Sequence, residues 1–433
     1  MDISENKFIN SFINFATKIG NQVHLRSLRD AFSTLSPLFI MAGLAVLINN
    51  VLFPWIFSGA TLETAQLFGT NISQGTLNIA GLLLCPAISF FLARNKKYSS
   101  PISISIAVLA TYIVMMPNTV VATTVEGAEV EVTGVLSLAN LGTESMFGGI
   151  IIGLLATEII LKLSEVKALR INLGDQVPPA VGAAFSLLIP VVITISLFSL
   201  ISVLLKVTMG TDLISLIIKF IQAPLRGIGT SLVGYLFLYS LGNFLYTLGI
   251  HQSVINGPFT EPFMTQNINE NTLAFESGRE APNILTVSFQ TAFAQMGGTG
   301  ATMSLIIAIL IFSKVKQYNQ VAKLGLASGI FEINEPVIYG LPIVFNLPMM
   351  IPFVLLPILQ TLIAYFATVI GLVSRTVVLV PWITPPIISG YLATAGDWRA
   401  SVLQVFLLIL GVIIYLPFLK ISEAVLHKQA TQE

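Results

Sequence analysis

The stretch Phe331 to Pro342, FEINEPVIYGLP, sets an amide and a carboxylate, Asn334 and Glu335, directly before Pro336 in an otherwise oily chain. Proline lacks a backbone donor and disfavours helical geometry in the residue before it, so Glu335 is expected where a helix ends or breaks. Gly340-Leu341-Pro342 lets the chain turn back, which predicts a re-entrant hairpin with a carboxylate at its tip. An ionisable group at membrane depth is costly unless it meets water, protein or a ligand, and burial disfavours its charged form. A carboxylate so placed can accept a hydrogen bond from a hydroxyl and aim its oxygen. It can also act as general base if that oxygen must attack phosphorus. The alternative is a turn at the membrane surface carrying a solvated glutamate.

A second ionisable group, His251, follows LYTLGI at the end of a long apolar run. A neutral imidazole offers one donor and one acceptor, and its pKa near neutrality suits contacts with protons or phosphoryl groups. The competing reading is an interfacial histidine. Trp382, in VPWITPPIISGYLAT, precedes the helix-breaking pair Pro385-Pro386. Aromatic rings stack on the apolar faces of sugars, so it suits the floor of a carbohydrate site as well as an interfacial belt. Trp55, beside Pro54, reads as a belt residue. In AQMGGTGATMS, Gly297-Gly298-Thr299-Gly300 lacks the lysine of a nucleotide P-loop and is no ATP site. Its glycines permit a tight bend, with Thr299 as a hydrogen-bonding group. Cys85, the single cysteine, reads as a small core residue.

The elements that hold these residues are membrane helices. The chain has 433 residues, 55% hydrophobic and 10% charged, with zero formal net charge, against roughly 25% charged in ordinary soluble proteins. No basic or acidic block points to nucleic acid. Ten apolar runs are candidate crossings: 31–52, 77–93, 101–116, 146–163, 180–205, 228–250, 286–313, 344–372, 376–394 and 401–419. The expected fold is all-α and polytopic, with about ten transmembrane helices, re-entrant hairpins and amphipathic helices. No cleavable signal is read at the start, where Phe8, Phe12, Phe15 and Ile19 predict a short amphipathic surface helix within a segment 1–30.

Loops 53–76 and 117–145 contain no Lys or Arg, whereas Lys and Arg flank the first, second and fourth spans on the other side. The positive-inside rule then puts the N-terminus in the cytoplasm. TVEGAEVEVTG alternates as an external β-hairpin around Gly127-Ala128. Pro178 and Pro179 are expected in the first turn of the fifth span. In the linker 207–227, Asp212 is expected to cap an amphipathic helix and Pro224 to end it. The second half alternates poorly, with breaks over 251–300 and 321–343, as in transporters that present broken helices to a substrate.

Taken in order, GIH at Gly249 to His251, MGGTGAT at Met296 to Thr302, INEP at Ile333 to Pro336 with its trailing YGLP, and PWITPP at Pro381 to Pro386 are together specific. On these motifs the full chain resembles the membrane-embedded IIC component of the phosphoenolpyruvate-dependent sugar phosphotransferase system, in its lactose, cellobiose and diacetylchitobiose branch. The resemblance implies a homodimer in the bacterial cytoplasmic membrane, with 31–206 as dimerisation half and 228–433 as sugar-binding transport half. It implies a β-linked disaccharide substrate whose C6 hydroxyl is held by His251 and Glu335, the pair in the catalytic role. The substrate-binding set is His251, Asn256, Thr299, Asn334, Glu335 and Trp382. A separate IIB protein would deliver the phosphoryl group from a phosphocysteine, because no IIB-like cysteine motif or IIA-like histidine segment is present. No metal or cofactor is expected. Gln252 stands where the family often has glycine. A proton-coupled symporter with Glu335 as proton carrier is the alternative class, and a membrane glycosyltransferase ranks below it for want of a paired-Asp motif.

Overall fold

The structure is a computed structural model that describes residues 22–123, 129–173, 177–249, 251–341, 343–344 and 346–430. The expected surface helix at Phe8 to Ile19 lies outside these residues. So do the Gly127-Ala128 turn, Ile250 of the GIH motif and Pro342.

The helices, in chain order, are α1 (Val23–Leu47), α2 (Gly59–Gly75), α3 (Ala80–Asn95), α4 (Pro101–Val114), α5 (Met146–Glu165) and α6 (Pro179–Met209). Then follow α7 (Leu213–Ile217), α8 (Leu232–Thr247), α9 (Ser253–Phe259), α10 (Glu261–Glu276), α11 (Val287–Phe289) and α12 (Thr302–Phe312). The last are α13 (Lys316–Ile330), α14 (Glu335–Gly340), α15 (Leu347–Val369), α16 (Ile388–Ala393) and α17 (Trp398–Ala430). Two antiparallel strands, β1 (Thr119–Thr123) and β2 (Glu129–Thr133), pair Thr119 with Thr133 and Val121 with Glu131, so the expected hairpin is present.

Among the described residues six helical stretches are long and apolar enough to cross a membrane: Val23–Ile56, Gly59–Asn95, Met146–Glu165, Val181–Met209, Pro348–Val369 and Trp398–Ala424. A bilayer core takes about 20 helical residues. The expected crossing 286–313 is broken: after α11 and a π-turn at Gln290–Ala294, the helix stops and α12 begins only at Thr302. The expected crossing 376–394 is not a helical span, since only Ile388–Ala393 within it is helical. Asp212 caps α7 by accepting from the Ser215 amide at 2.9 Å. Pro224 does not end that helix, which continues through a π-turn to Ala223–Gly229. There Pro224 lies inside the continuous helix directly after the π-turn, a local break in the i→i−4 ladder of the kind that accompanies prolines and helix bends.

The described chain divides into two compact units, one of residues 22–39 and 73–227 and one of residues 40–72 and 228–433. In the first, α3 and α5 approach closely: a Cβ on Gly149 would lie 2.8 Å from the Gly81 carbonyl oxygen. Cys85 is fully buried between them, the expected core role. Glu158 binds His24 Nε2 at 2.6 Å and Lys96 Nζ beside it.

The second unit contains an extended, buried segment, Thr376 to Val380, in place of a helix. Non-helical backbone away from water must find hydrogen-bond partners outside its own segment. α10 supplies them, which explains why this polar helix is buried. Asn271 Nδ2 donates to the Thr376 and Asn283 carbonyls at 2.7 Å each, and Thr272 Oγ1 donates to the Val377 carbonyl at 2.7 Å. Ser288 Oγ donates to the Val378 carbonyl at 2.9 Å. The segment is tied off at Asp397, which accepts from the Ser374 amide at 2.8 Å and from Arg399 Nε at 2.9 Å.

Candidate functional site

Two breaks in the second unit meet. The first is the glycine turn between the α11 stretch and α12, with positive φ at Gly297 (79°), Gly298 (94°), Gly300 (76°) and Ala301 (52°). The second is the turn between α13 and α14, where Glu332 has φ 65°. Asn334 Nδ2 donates to the Thr299 carbonyl at 2.7 Å and to Thr302 Oγ1 at 3.0 Å. In the opposite sense, the Gly298 amide donates to Glu332 Oε2 at 2.8 Å. Gly298 has to be glycine, because a Cβ there would lie 2.5 Å from Asn334 Cγ. Tyr415 closes the turn from α17, donating to the Gly300 carbonyl at 2.7 Å.

His251 lies in the short connection between α8 and α9 and is exposed. Its Nδ1 accepts from the Ser253 amide at 3.2 Å and pairs with Ser253 Oγ at 2.9 Å. That assignment puts the proton of the neutral ring on Nε2, so the ring's donor faces away from Ser253. The imidazole is tilted against the Tyr246 ring, centroids 4.8 Å apart. Tyr246 is buried, sits edge-on to Phe353 at 6.2 Å, and lies within electrostatic range of Glu335. Phe353 in turn covers Gly300. One aromatic side chain therefore joins the histidine, the second turn's carboxylate and the glycine turn.

The burial of the carboxylates differs from expectation. Glu335 was expected in a shielded cleft, yet it is exposed in the first turn of α14, while Glu332, three residues earlier, is only 4% exposed. The left-handed backbone at Glu332 turns that side chain beneath the glycine turn, and Pro336 starts α14 with Glu335 on its outer end. The spacing of FEINEP holds no signal that separates the two acids; only the sign of φ does.

The remaining candidates fall into place separately. Thr299 and Asn334 are buried and bonded to each other. Asn256, on α9, is 8% exposed, donates to Gln252 Oε1 at 3.2 Å, and its Oδ1 has no partner among the described residues. Gln252 thus braces α9. Trp382 is 55% exposed in the non-helical stretch after Val380, on a tight turn in which the Thr384 amide donates to the Pro381 carbonyl at 2.9 Å. Ile387, just past Pro385-Pro386, has φ 75°, a strained value for a β-branched residue.

The family model described as "Phosphotransferase system, EIIC" matches residues 29–357. The chain belongs to the phosphotransferase-system EIIC family. It is a multi-pass membrane protein, and its similarity to relatives runs nearly end to end. The oligo-beta-mannoside-specific EIIC component of Bacillus subtilis is 34% identical over 97% of this chain and 95% of that protein. The cellobiose-specific EIIC component of Lactococcus lactis is 31% identical over 93% and 94%. The crystal structure of the transporter ChbC, the IIC component from the N,N'-diacetylchitobiose-specific phosphotransferase system, superposes with TM-score 0.89 at 30% identity. The match covers 98% of this EIIC chain and 99% of ChbC.

Proposed function

We propose that this EIIC protein is a permease that binds a β-linked disaccharide of the cellobiose or diacetylchitobiose type and moves it across the bacterial cytoplasmic membrane for phosphorylation. A separate IIB protein is the phosphoryl donor. The observation that carries the reading is that His251 and Glu335 both come near Tyr246, next to two interlocked helix breaks. An accessible carboxylate and an imidazole donor there can hold one sugar hydroxyl between them. In the transfer step Glu335 takes the proton of the C6 hydroxyl and its oxygen bonds to the phosphorus carried by the IIB cysteine. The S–P bond breaks and the thiolate leaves. The phosphorylated sugar is a dianion that is repelled by Glu335 and cannot recross lipid.

Trp382 is assigned to stack on a sugar face and Asn256 to offer its unpartnered carbonyl oxygen, while Thr299 and Asn334 shape the wall. About ten crossings, a cytoplasmic N-terminus, a homodimer formed through residues 31–206 and a moving transport half at 228–433 complete the proposal. Equilibrium binding of cellobiose, diacetylchitobiose and lactose to solubilised protein ranks the sugars. Glu335→Gln is expected to retain sugar binding and abolish phosphorylation-linked uptake in reconstituted vesicles. Normal uptake by that variant, or accumulation driven by a proton gradient with no IIB present, would contradict the assignment.

A further inference from the structure

Glu332 is unused by the reaction above, yet it is the buried acid of the site. It keeps a left-handed φ of 65° without being glycine, a costly conformation that persists only where surrounding contacts enforce it. The contact that enforces it is with the glycine turn. Its Oε2 accepts from the Gly298 amide at 2.8 Å, and the Gly297 amide lies close enough to act on the same carboxyl group. Consecutive amides in a left-handed turn form a small anion-binding concavity, and here a side chain of the same protein fills it. The other oxygen, Oε1, is buried with no partner among the described residues. Such an arrangement is expensive for packing alone, since an apolar side chain would leave no orphaned oxygen.

We infer that Glu332 is a positioning residue of the sugar site: its carboxyl group serves as a built-in hydrogen-bond acceptor that fixes the Gly297–Gly300 turn and, through Asn334, the placement of Glu335. The inference rests on the permease reading. Glu332 accepts a hydrogen bond from the Gly298 amide, and Asn334, two residues on, donates one to the Thr299 carbonyl. Two bonds of opposite polarity, on the peptides either side of the Gly298–Thr299 peptide, stop the turn from rotating. Glu335 follows Asn334 directly, so slack in the clamp passes to the carboxylate through one peptide unit, and a shift of about 1 Å in such a group costs on the order of 100-fold in rate.

The test uses full-length protein with Glu332→Ala and Glu332→Gln, since glutamine keeps an acceptor oxygen for Gly298. Three quantities are compared with wild type: hydrogen exchange of the peptide spanning 296–303, cellobiose affinity, and phosphorylation-linked uptake at saturating sugar. The alanine variant should exchange about tenfold faster at that peptide alone. Its uptake rate should fall about tenfold or more, with affinity changed about threefold or less, because aim suffers before binding does. The glutamine variant should return both exchange and uptake to within about threefold of wild type. Alanine uptake within about twofold of wild type overturns the inference, as does a glutamine variant with wild-type exchange and lost uptake. Should the alanine variant not fold, the glutamine variant decides by the same criteria. If wild-type protein binds none of the sugars, the permease reading falls by itself, and the exchange data still decide whether Glu332 fixes the turn.

Discussion

Gly298→Ala probes the interlock of the two turns. The new methyl would sit 2.5 Å from Asn334 Cγ and 2.9 Å from its Cβ, on a residue with φ 94°. Left-handed strain for alanine contributes about 1–2 kcal/mol. Displacing Asn334 adds about 1–3 kcal/mol of overpacking, and loss of its bonds to Thr299 and Thr302 adds about 1 kcal/mol each. The expected cost is therefore about 4–7 kcal/mol, a large part of the stability of an ordinary domain. In an Asn334→Gly background the clash and the bonds are already gone, so the same substitution should cost only the strain, about 1–2 kcal/mol. The coupling, about 3–5 kcal/mol, is measured by a double-mutant cycle using reversible unfolding of the solubilised protein in mixed micelles. Equal costs in the two backgrounds, within about 0.5 kcal/mol, would refute the packing of Asn334 on Gly298.

Asn271→Ala removes the donor to the Thr376 and Asn283 carbonyls and the acceptor for the Asn283 amide, and should destabilise by about 2–4 kcal/mol in the same assay. A loss below about 0.5 kcal/mol would mean the extended segment finds other partners. At Asp397, burial pushes the carboxyl up, but bonds from Arg399 and Ser374 outweigh it and hold the pKa at about 2, below its usual 3.8. A depressed carboxyl stabilises the fold above its unfolded pKa, and that contribution is lost as pH falls from about 4 towards 2. The shift sets a ceiling of ~2.5 kcal/mol, and screening around the exposed Arg399 lowers the expected value to about 1 kcal/mol. Wild type should therefore exceed Asp397→Asn by about that amount at pH 6, with the gap closing near pH 3; a gap independent of pH would contradict it.

The residue types alone identified the broken elements. Pro336 after Glu335 and the run Gly297-Gly298-Thr299-Gly300 mark places where no helix can continue, and helix breaks do fall at both. Steric rules for proline and glycine act locally, so they can be read without a fold. The Asp212 cap and the antiparallel hairpin were legible for the same reason. The apolar run 376–394 misled because burial, not helix formation, is what an apolar run reports. Whether its backbone coils or extends depends on donors 105 residues away in α10.

The sequence by itself determined that this chain is an EIIC protein and which motifs matter, because those depend on residue identity and order. Tertiary structure decided which acid of FEINEP is accessible, since a single left-handed residue sends Glu332 under the glycine turn and leaves Glu335 outside. It also decided that Tyr246, on a different helix from Glu335, packs on His251 and lies within electrostatic range of Glu335. Local sterics set where a chain bends, but only contacts between distant segments set what the bend faces.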